Sequence, residues 1–199
     1  NNKEFANSAS AGKLMRDAIR PMSLNASDGR VVARLTKSMT AIKNLDSVSA
    51  RGERNVGVGI SDPNAIVKLK GFEFNKDALL SAILFKPMTI DTATGEVTIA
   101  NLVPQMDIVW PQGATHIQLT SGFAGIDFVN GDKDLQLSDP VNLPIDSTST
   151  TVLLTPPSAP AVVGTNLYLV KIEFFQEING IQYTLKNGAF NALRVVEAL

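Results

Sequence analysis

The last third of the chain alternates between apolar and polar residues, and two Asn-Gly steps break the alternation. In "NLYLVKIEFFQEINGIQYTLKNGAFNALRVVEAL", Asn179-Gly180 and Asn187-Gly188 separate three such runs. Asn-Gly supplies the positive φ angles of a tight turn between antiparallel strands, so the pattern predicts a three-strand meander. An open edge would expose unpaired backbone groups. We therefore expect the final strand to lie inside a sheet or to be covered by a neighbouring molecule.

A strand-like period also marks most of the chain from residue 55 onward. The segments "AIVKLKGFEFN", "QMDIVWP" and "THIQLTSGFAGIDFV" are predicted as strands, and "MTIDTATGEVTIA" as a hairpin. The segment "NKDALLSAILF" suits a helical turn and a buried strand equally well. Short strands with regular turn signals predict a mainly β fold, an antiparallel β-sandwich of immunoglobulin-like or fibronectin-like outline.

The first 54 residues have a helical period instead. In "KEFANSASAGKLMRDAIRP" the apolar face consists of Phe5, Gly12, Met15 and Ile19, and Pro21 ends the helix. A second helix repeats Val31, Leu35, Met39 and Ile42, with Ser27 or Asn25 as its predicted cap. Two short helices cannot bury their apolar faces alone, so these helices must pack on the body or on another subunit.

These patterns divide the chain into a basic helical segment, 1–54, and a β body, 55–199. Half of the ten prolines lie among Ser and Thr residues in "DPVNLPIDSTSTTVLLTPPSAP". Proline removes a ladder donor, so this stretch predicts loops and edge strands. A division of the body into two β-modules near 138–164 is therefore an open alternative.

The net charge of −1 hides an asymmetry between the two segments. Residues 1–54 carry a net charge of +5 and residues 55–199 a net charge of −6. Opposite fields on one molecule favour docking of copies head to tail, which builds rings or filaments. The alternative is solvated charge without a partner. The predicted contact residues are Lys13, Arg16, Arg20, Arg30, Arg34 and Lys37.

The residue types argue against several functional classes. The chain has no cysteine and one histidine, His116, which is expected to be structural. Since no nucleophile elbow or phosphate-binding loop is present, we expect a non-enzymatic protein without a cofactor. Nucleic-acid binding is not expected, because the basic helices lack aromatic stacking residues. No apolar run is long enough to span a membrane.

Two further motifs suggest binding sites. Trp110, the sole tryptophan, precedes a proline, and at a sandwich rim it would stack on a carbohydrate or a peptide; the alternative is a core aromatic. This gives the second functional hypothesis, a secreted binding module. In "DFVNGDKD", oxygen ligands cluster as in a calcium loop, although ordinary turn chemistry explains them equally. The candidate calcium ligands are Asp127, Asn130, Asp132 and Asp134.

Both ends of the chain resemble a family of uncharacterised bacterial proteins. The resemblance lies in "GKLMRDAIRP", in "RLTKSMTAI" followed by "RGER", and in "NGIQYTLKNGAFNALRVVE". It implies a bacterial origin and a single unit of helices plus sandwich, and no activity or site residues. We expect a structural or self-assembly protein, such as a fibre, surface lattice or virion component. An extracellular or virion location is favoured, although the compartment stays open, and a removed leader is one interpretation of a first residue that is Asn rather than Met.

Overall fold

A computed structural model describes residues 2–199, which form helices, two 3₁₀ turns and antiparallel strands. The helices are α1 (Asn2–Ala18), α2 (Arg20–Ser23), α3 (Val31–Lys43), α4 (Val56–Gly59), α5 (Leu80–Ile83) and α6 (Pro104–Asp107), and the 3₁₀ turns are Ile66–Lys68 and Leu185–Gly188. The strands are β1 (Thr89–Ile90), β2 (Val97–Leu102), β3 (His116–Ile126), β4 (Lys133–Leu137), β5 (Val141–Pro144), β6 (Thr150–Leu154), β7 (Thr165–Ile178), β8 (Ile181–Thr184) and β9 (Ala192–Ala198).

Two long strands, β3 and β7, form the centre of the larger sheet. They pair from His116 opposite Phe175 to Ile126 opposite Thr165. Strands β4 and β5 follow each other along the free side of β3, and β8 and β9 share the free side of β7. The smaller sheet has the order β1-β2-β6. The segment 138–164 therefore supplies one strand to each sheet, β5 to the larger and β6 to the smaller.

Both faces of the larger sheet are buried. Side chains alternate along a strand, so β7 contributes to a core on each side of the sheet. On β7, Leu167 and Leu169 belong to a core shared with the N-terminal helices. Val170, Ile172 and Phe174 point to the opposite side and share a second core with the smaller sheet. Because both faces are buried, β7 lacks the alternation of apolar and polar residues that is typical of a strand with one solvent-exposed face.

The N-terminal helices pack on the larger sheet as their apolar periods predict. Met15 and Ile19 are fully buried, and so are Leu35 and Met39 of α3. Phe5, assigned to the same face, is instead exposed. The predicted cap of α3 is also wrong: the helix begins at Val31 without a side-chain cap from Asn25 or Ser27. Asp28 accepts a hydrogen bond from the backbone N–H of Arg30 just before the helix, at 2.6 Å.

The final strand, β9, pairs with β7 on one side and is covered by residues 71–74 on the other. The N–H of Gly71 donates to the carbonyl of Val195 at 2.7 Å, and the N–H of Phe74 donates to that of Leu193 at 2.8 Å. Val195 in turn donates to the carbonyl of Phe72 at 3.0 Å. A positive φ of 84° at Gly71 turns the chain into this position. The covering segment belongs to the same molecule.

Several predicted strands are wrong. The segment "AIVKLKGFEFN" contains the 3₁₀ turn Ile66–Lys68 and one isolated bridge, between Glu73 and Arg194. Likewise "QMDIVWP" contains most of α6 and a single bridge from Ile108 to Leu84. The hairpin at Asn179-Gly180 is confirmed, with φ angles of 53° and 78°. The second Asn-Gly step lies in the 3₁₀ turn, so β9 returns to β7 and the predicted meander is wrong.

The fold class is confirmed at its coarser level: antiparallel sheets combine with N-terminal helices. Strands hold 31% of the residues and helices 27%, so a mainly β chain is not confirmed. The immunoglobulin-like or fibronectin-like outline is not confirmed either. Helices α4, α5 and α6 all lie beyond residue 54, which makes the helical contribution larger than the N-terminal segment alone.

Candidate interaction surfaces

A cleft of about 350 Å³ lies between α1, α2 and the start of α3, and we call it the basic cleft. Arg16 and Arg20, two of the predicted contact residues, line it together with Ser23 and Ser27. Neither arginine forms an ion pair with another residue of 2–199. Asp17 also lines the cleft, which therefore presents two guanidinium groups and two hydroxyl groups beside one carboxylate. The two arginines outnumber this acid and suit a carboxylate or another oxyanion from a neighbouring molecule.

The other predicted contact residues differ in whether they have an ion-pair partner within the molecule. Lys13 pairs with Asp17 at 2.8 Å, and this hydrogen bond lowers the pKa of Asp17. Arg30 and Lys37 are exposed and form no ion pair within residues 2–199. Neither Arg30 nor Lys37 lines the basic cleft, so these two exposed cations lie outside it on the helical segment.

Arg34 has an internal role that the sequence did not predict. Its guanidinium pairs with Asp28 and donates to the carbonyls of Glu73, at 2.7 Å, and Phe74, at 3.1 Å. It also lies 5.1 Å from the ring centroid of Phe72. Arg34 thereby fastens the segment that covers β9 to α3, and its charge is used within the molecule.

The ion pairs of the described residues all stay within one segment. Five connect residues of 2–54 and five connect residues of 55–199, and within 2–199 none joins the two. The pairs are Lys3–Glu53, Lys13–Asp17, Arg34–Asp28, Lys43–Glu4 and Arg54–Glu4 in the first segment, and Lys70–Glu197, Lys76–Asp77, Lys86–Asp107, Lys171–Glu173 and Arg194–Glu73 in the second. The opposite charges of the two segments are therefore not neutralised against each other by direct contacts.

A buried carboxylate at the start of α1 was missed by sequence reasoning. Glu4 accepts hydrogen bonds from Arg54 Nε at 3.1 Å, from Lys43 Nζ at 2.7 Å and from the N–H of Gly52 at 2.7 Å. Arg54 first, then Lys43, hold the pKa of Glu4 well below its usual range. Its place on the apolar face of α1, four residues before the buried Ser8, was the available signal. Glu4 is an anchor for the chain around residue 52.

A second buried polar cluster lies on β7, beneath the loop after α2. Lys171 Nζ is 3.5 Å from Glu173 Oε1, and the same oxygen accepts a hydrogen bond from Asn25 at 2.7 Å. Gln118 donates to the other oxygen of Glu173 at 3.2 Å. Burial lowers the pKa of Lys171, although Glu173 opposes this effect. Because each of these polar groups has a protein partner, the cluster serves to fix the loop on the sheet.

An apolar groove of about 460 Å³ lies beside Trp110, and we call it the Trp110 groove. Its walls include Ile83, Phe174 and Phe190, with Lys76 at the rim. Trp110 is 37% exposed, so the indole takes neither a fully buried nor a fully solvated position. This volume falls in the range of ordinary ligand pockets. The lining offers few hydrogen-bonding groups.

Exposed apolar side chains continue from the groove along two short segments. The bridge between Leu84 and Ile108 holds the two segments together, and Val109 donates its N–H to the carbonyl of Ile83 at 2.9 Å. The exposed large apolar residues on these segments are Leu79, Phe85, Met106 and Val109. Several such residues on adjoining segments, rather than singly scattered, are typical of an interaction surface.

The remaining predicted site residues form no reactive cluster. Asp127 accepts hydrogen bonds from the N–H groups of Val129 and Asn130, which is turn chemistry, and Asp134 accepts from Ala161. No group of metal-ligating side chains among residues 2–199 has the arrangement of a metal site, so the calcium hypothesis gains no support. His116 is half-buried, with Nδ1 2.9 Å from the hydroxyl of Thr115.

Comparisons with known proteins assign no relative. No family model, curated protein or solved structure matches the chain. Within residues 2–199, none of the helices has the length and apolar character needed to cross a bilayer.

Proposed function

We propose that this protein assembles with copies of itself, through contacts between the basic N-terminal helices of one copy and the acidic body of the next. The segregation of its ion pairs carries the proposal. Each segment satisfies part of its charge internally, and the remaining cations of one segment and carboxylates of the other stay available for a neighbouring molecule. A fibre, a surface lattice or a virion component, outside the cell or in a virion, is the kind of structure that such a contact would build.

The basic cleft is the part of the helical segment that best fits this role. Arg16 and Arg20 both face one cavity, where a carboxylate would form bidentate, charge-assisted hydrogen bonds. Exposed carboxylates outside ion pairs lie on several loops of the body, for example Asp91, Asp132 and Asp139. Because cleft and loops are different surfaces, the contact is heterologous and its rotation decides between a ring and an open filament.

Light scattering behind a sizing column tests this proposal at low and high salt. We expect an assembly larger than a monomer at low salt that dissociates as salt screens the contact. The double variant Arg16→Glu, Arg20→Glu should remove the assembly. Lys68→Glu is the matched control, since it reverses an exposed charge of the body that forms no ion pair within residues 2–199.

Arg34 is left out of the test variant because its reversal would release the segment that covers β9. A wild-type protein that is monomeric at both salt concentrations would contradict the proposal. An assembly of unchanged size in the double variant would contradict it equally.

We also propose a fold class for the body: the two facing sheets form a β-sandwich of the predicted immunoglobulin-like or fibronectin-like outline.

The Trp110 groove favours a second candidate function, a secreted binding module. Of the two ligand classes predicted for it, the apolar lining supports a peptide. A carbohydrate would place many hydroxyl groups against a mostly apolar lining, in which Lys76 and Asp77 are the charged members, and each hydroxyl group left unpaired costs free energy. A peptide-library pull-down tests this candidate: loss of capture in Trp110→Ala would support it, and capture that is equal in both proteins would contradict it.

A further inference from the structure

The β7-β8 hairpin presents apolar side chains that match the Trp110 groove in chemistry. Ile178 and Ile181 lie opposite each other at its tip and are 51% and 56% exposed, and Tyr183 is 52% exposed. The two-residue turn at Asn179-Gly180 holds them in one conformation. A preformed apolar tip loses little conformational entropy when it enters a pocket, which favours binding.

Charge complements the apolar match. Glu177, just before the tip, is exposed and forms no ion pair within residues 2–199. At the groove, Lys76 lies on the rim, and Lys186 Nζ sits 5.2 Å from the ring centroid of Phe190, which lines the wall. Asp77 is the acid among the lining residues, and it pairs with Lys76 at 2.5 Å. Lys186 forms no ion pair within residues 2–199, so its charge is free to attract Glu177 of a second copy.

The two surfaces lie at the same end of the molecule. A side chain at Gly113 would meet Gln176 at 3.6 Å and Leu185 at 3.6 Å, so the chain just after Trp110 runs beside the base of the hairpin. Thr115 extends this contact, because its hydroxyl accepts the N–H of Glu177 at 2.8 Å. Neighbouring surfaces of complementary character suit reciprocal exchange about a two-fold axis, in which each copy gives its hairpin and receives the other.

We infer that two copies of this chain pair through their Trp110 grooves, each groove taking the β7-β8 hairpin of the other copy. The inference uses a different surface from the basic cleft. A contact built mainly from apolar side chains, with Trp110 on one surface and Tyr183 on the other, is typical of interface hot spots. Salt weakens such a contact far less than it weakens an ion-paired one. Failure of the charged contact and failure of this pairing are therefore distinguishable.

Sedimentation velocity at high salt, over a range of protein concentrations, tests the pairing while the charged contact is screened. We expect a dimer whose dissociation constant rises by about tenfold or more in Trp110→Ala and in Ile181→Asp. Val163→Asp is the matched control, since Val163 is 92% exposed and lies on neither surface. Ile181→Asp changes an exposed turn-proximal residue, so the test does not depend on the folding of the Trp110 variant.

Mixing the two variants gives the sharper test. The Trp110→Ala variant keeps an intact hairpin, and the Ile181→Asp variant keeps an intact groove. A mixed dimer therefore retains one intact contact, the hairpin of the first variant in the groove of the second, and should be tighter than a dimer of either variant alone. Since Trp110 is the sole tryptophan, its emission should also shift to shorter wavelength as the wild type dimerises. A monomeric wild type, a dimer unaffected by both variants, or a mixture that does not recover would each overturn the inference.

Discussion

Glu4 and Lys43, 39 positions apart in the chain, form an ion pair in which both side chains are buried, with 2.7 Å between Oε2 and Nζ. The pair joins the first turn of α1 to the last turn of α3. A buried pair adds little net stability over apolar replacements, but removal of one member leaves the other charge without its partner. The contact therefore constrains what can be changed at the helix interface.

We expect Lys43→Met to lower the melting temperature by about 5 °C, because Glu4 would keep Arg54 and Gly52 as partners but lose the nearest cation. Lys3→Met is the matched control: Lys3 pairs with Glu53 at the exposed surface, where ion pairs contribute little. Thermal unfolding followed by circular dichroism measures both variants. Equal shifts in the two would contradict the structural role of Lys43.

Acid should destabilise the N-terminal segment through carboxylates that the fold keeps ionised. Burial alone would raise the pKa of Asp46, but hydrogen bonds from the N–H groups of Ser49 and Asn55 outweigh it and lower the pKa from 3.8 to about 2. The pKa of Glu4 also lies below its ordinary value of 4.5. For a depressed pKa, the stabilisation is complete above the unfolded value and is lost as the pH falls towards the folded one.

The melting temperature should therefore fall as the pH is lowered from 4.5 towards 2, and Asp46→Asn should make this fall shallower. Asp139→Asn serves for comparison, since Asp139 is exposed on a loop of the body. Melting curves at a series of pH values give the slopes. The prediction is wrong if the wild type and Asp46→Asn lose stability in parallel over this interval.

Gly59 lies against the backbone of α3 without room for a side chain. A Cβ at this position would lie 2.2 Å from the carbonyl oxygen of Ile42, so Gly59→Ala must displace α4 from the end of α3. We expect a loss of about 3 kcal/mol in the free energy of unfolding, by urea denaturation. Gly29→Ala meets nothing within 4 Å and should change stability by about 0.5 kcal/mol or less. Similar losses at both glycines would contradict this packing.

Amide exchange tests the cover over β9. We expect the N–H groups of Phe74 and Val195 to exchange slowly, since each donates to a backbone carbonyl across the covered edge. Arg34→Met should speed exchange in residues 71–74, because Arg34 fastens that segment to α3. Lys37→Met, one turn further along α3 on an exposed side chain, should leave exchange unchanged. Rapid exchange at Val195 in the wild type would show that the edge is open.

The sequence patterns predicted correctly those elements whose conformation depends on residues close together in the chain. The apolar repeat of Val31, Leu35 and Met39 gave the buried face of α3, and Asn179-Gly180 gave the hairpin turn. The alternation at 66–70 was misleading, since Val67 and Leu69 would share one face of a strand, whereas Val67 is exposed and Leu69 is buried. Short apolar runs do not separate the two periods.

Long-range pairing was beyond those patterns. Both β8 and β9 pair with β7 because positive φ angles at Lys186, Asn187 and Gly188 redirect the chain, and only the first of the two Asn-Gly steps makes a hairpin. The candidate surfaces follow the same rule. The sequence left both a rim position and a core position open for Trp110. Its neighbours Ile83 and Phe190 come from distant segments, and their approach depends on the completed sheets.

The position of β9 has a consequence for synthesis on the ribosome. This strand supplies Leu193 and Val195 to the core beneath the helices and Ala192 to the core between the sheets. Residues 71–74, made much earlier, have their backbone partners on it. Both cores lack these side chains until β9 has left the exit tunnel, so the earlier segments stay incompletely packed until then.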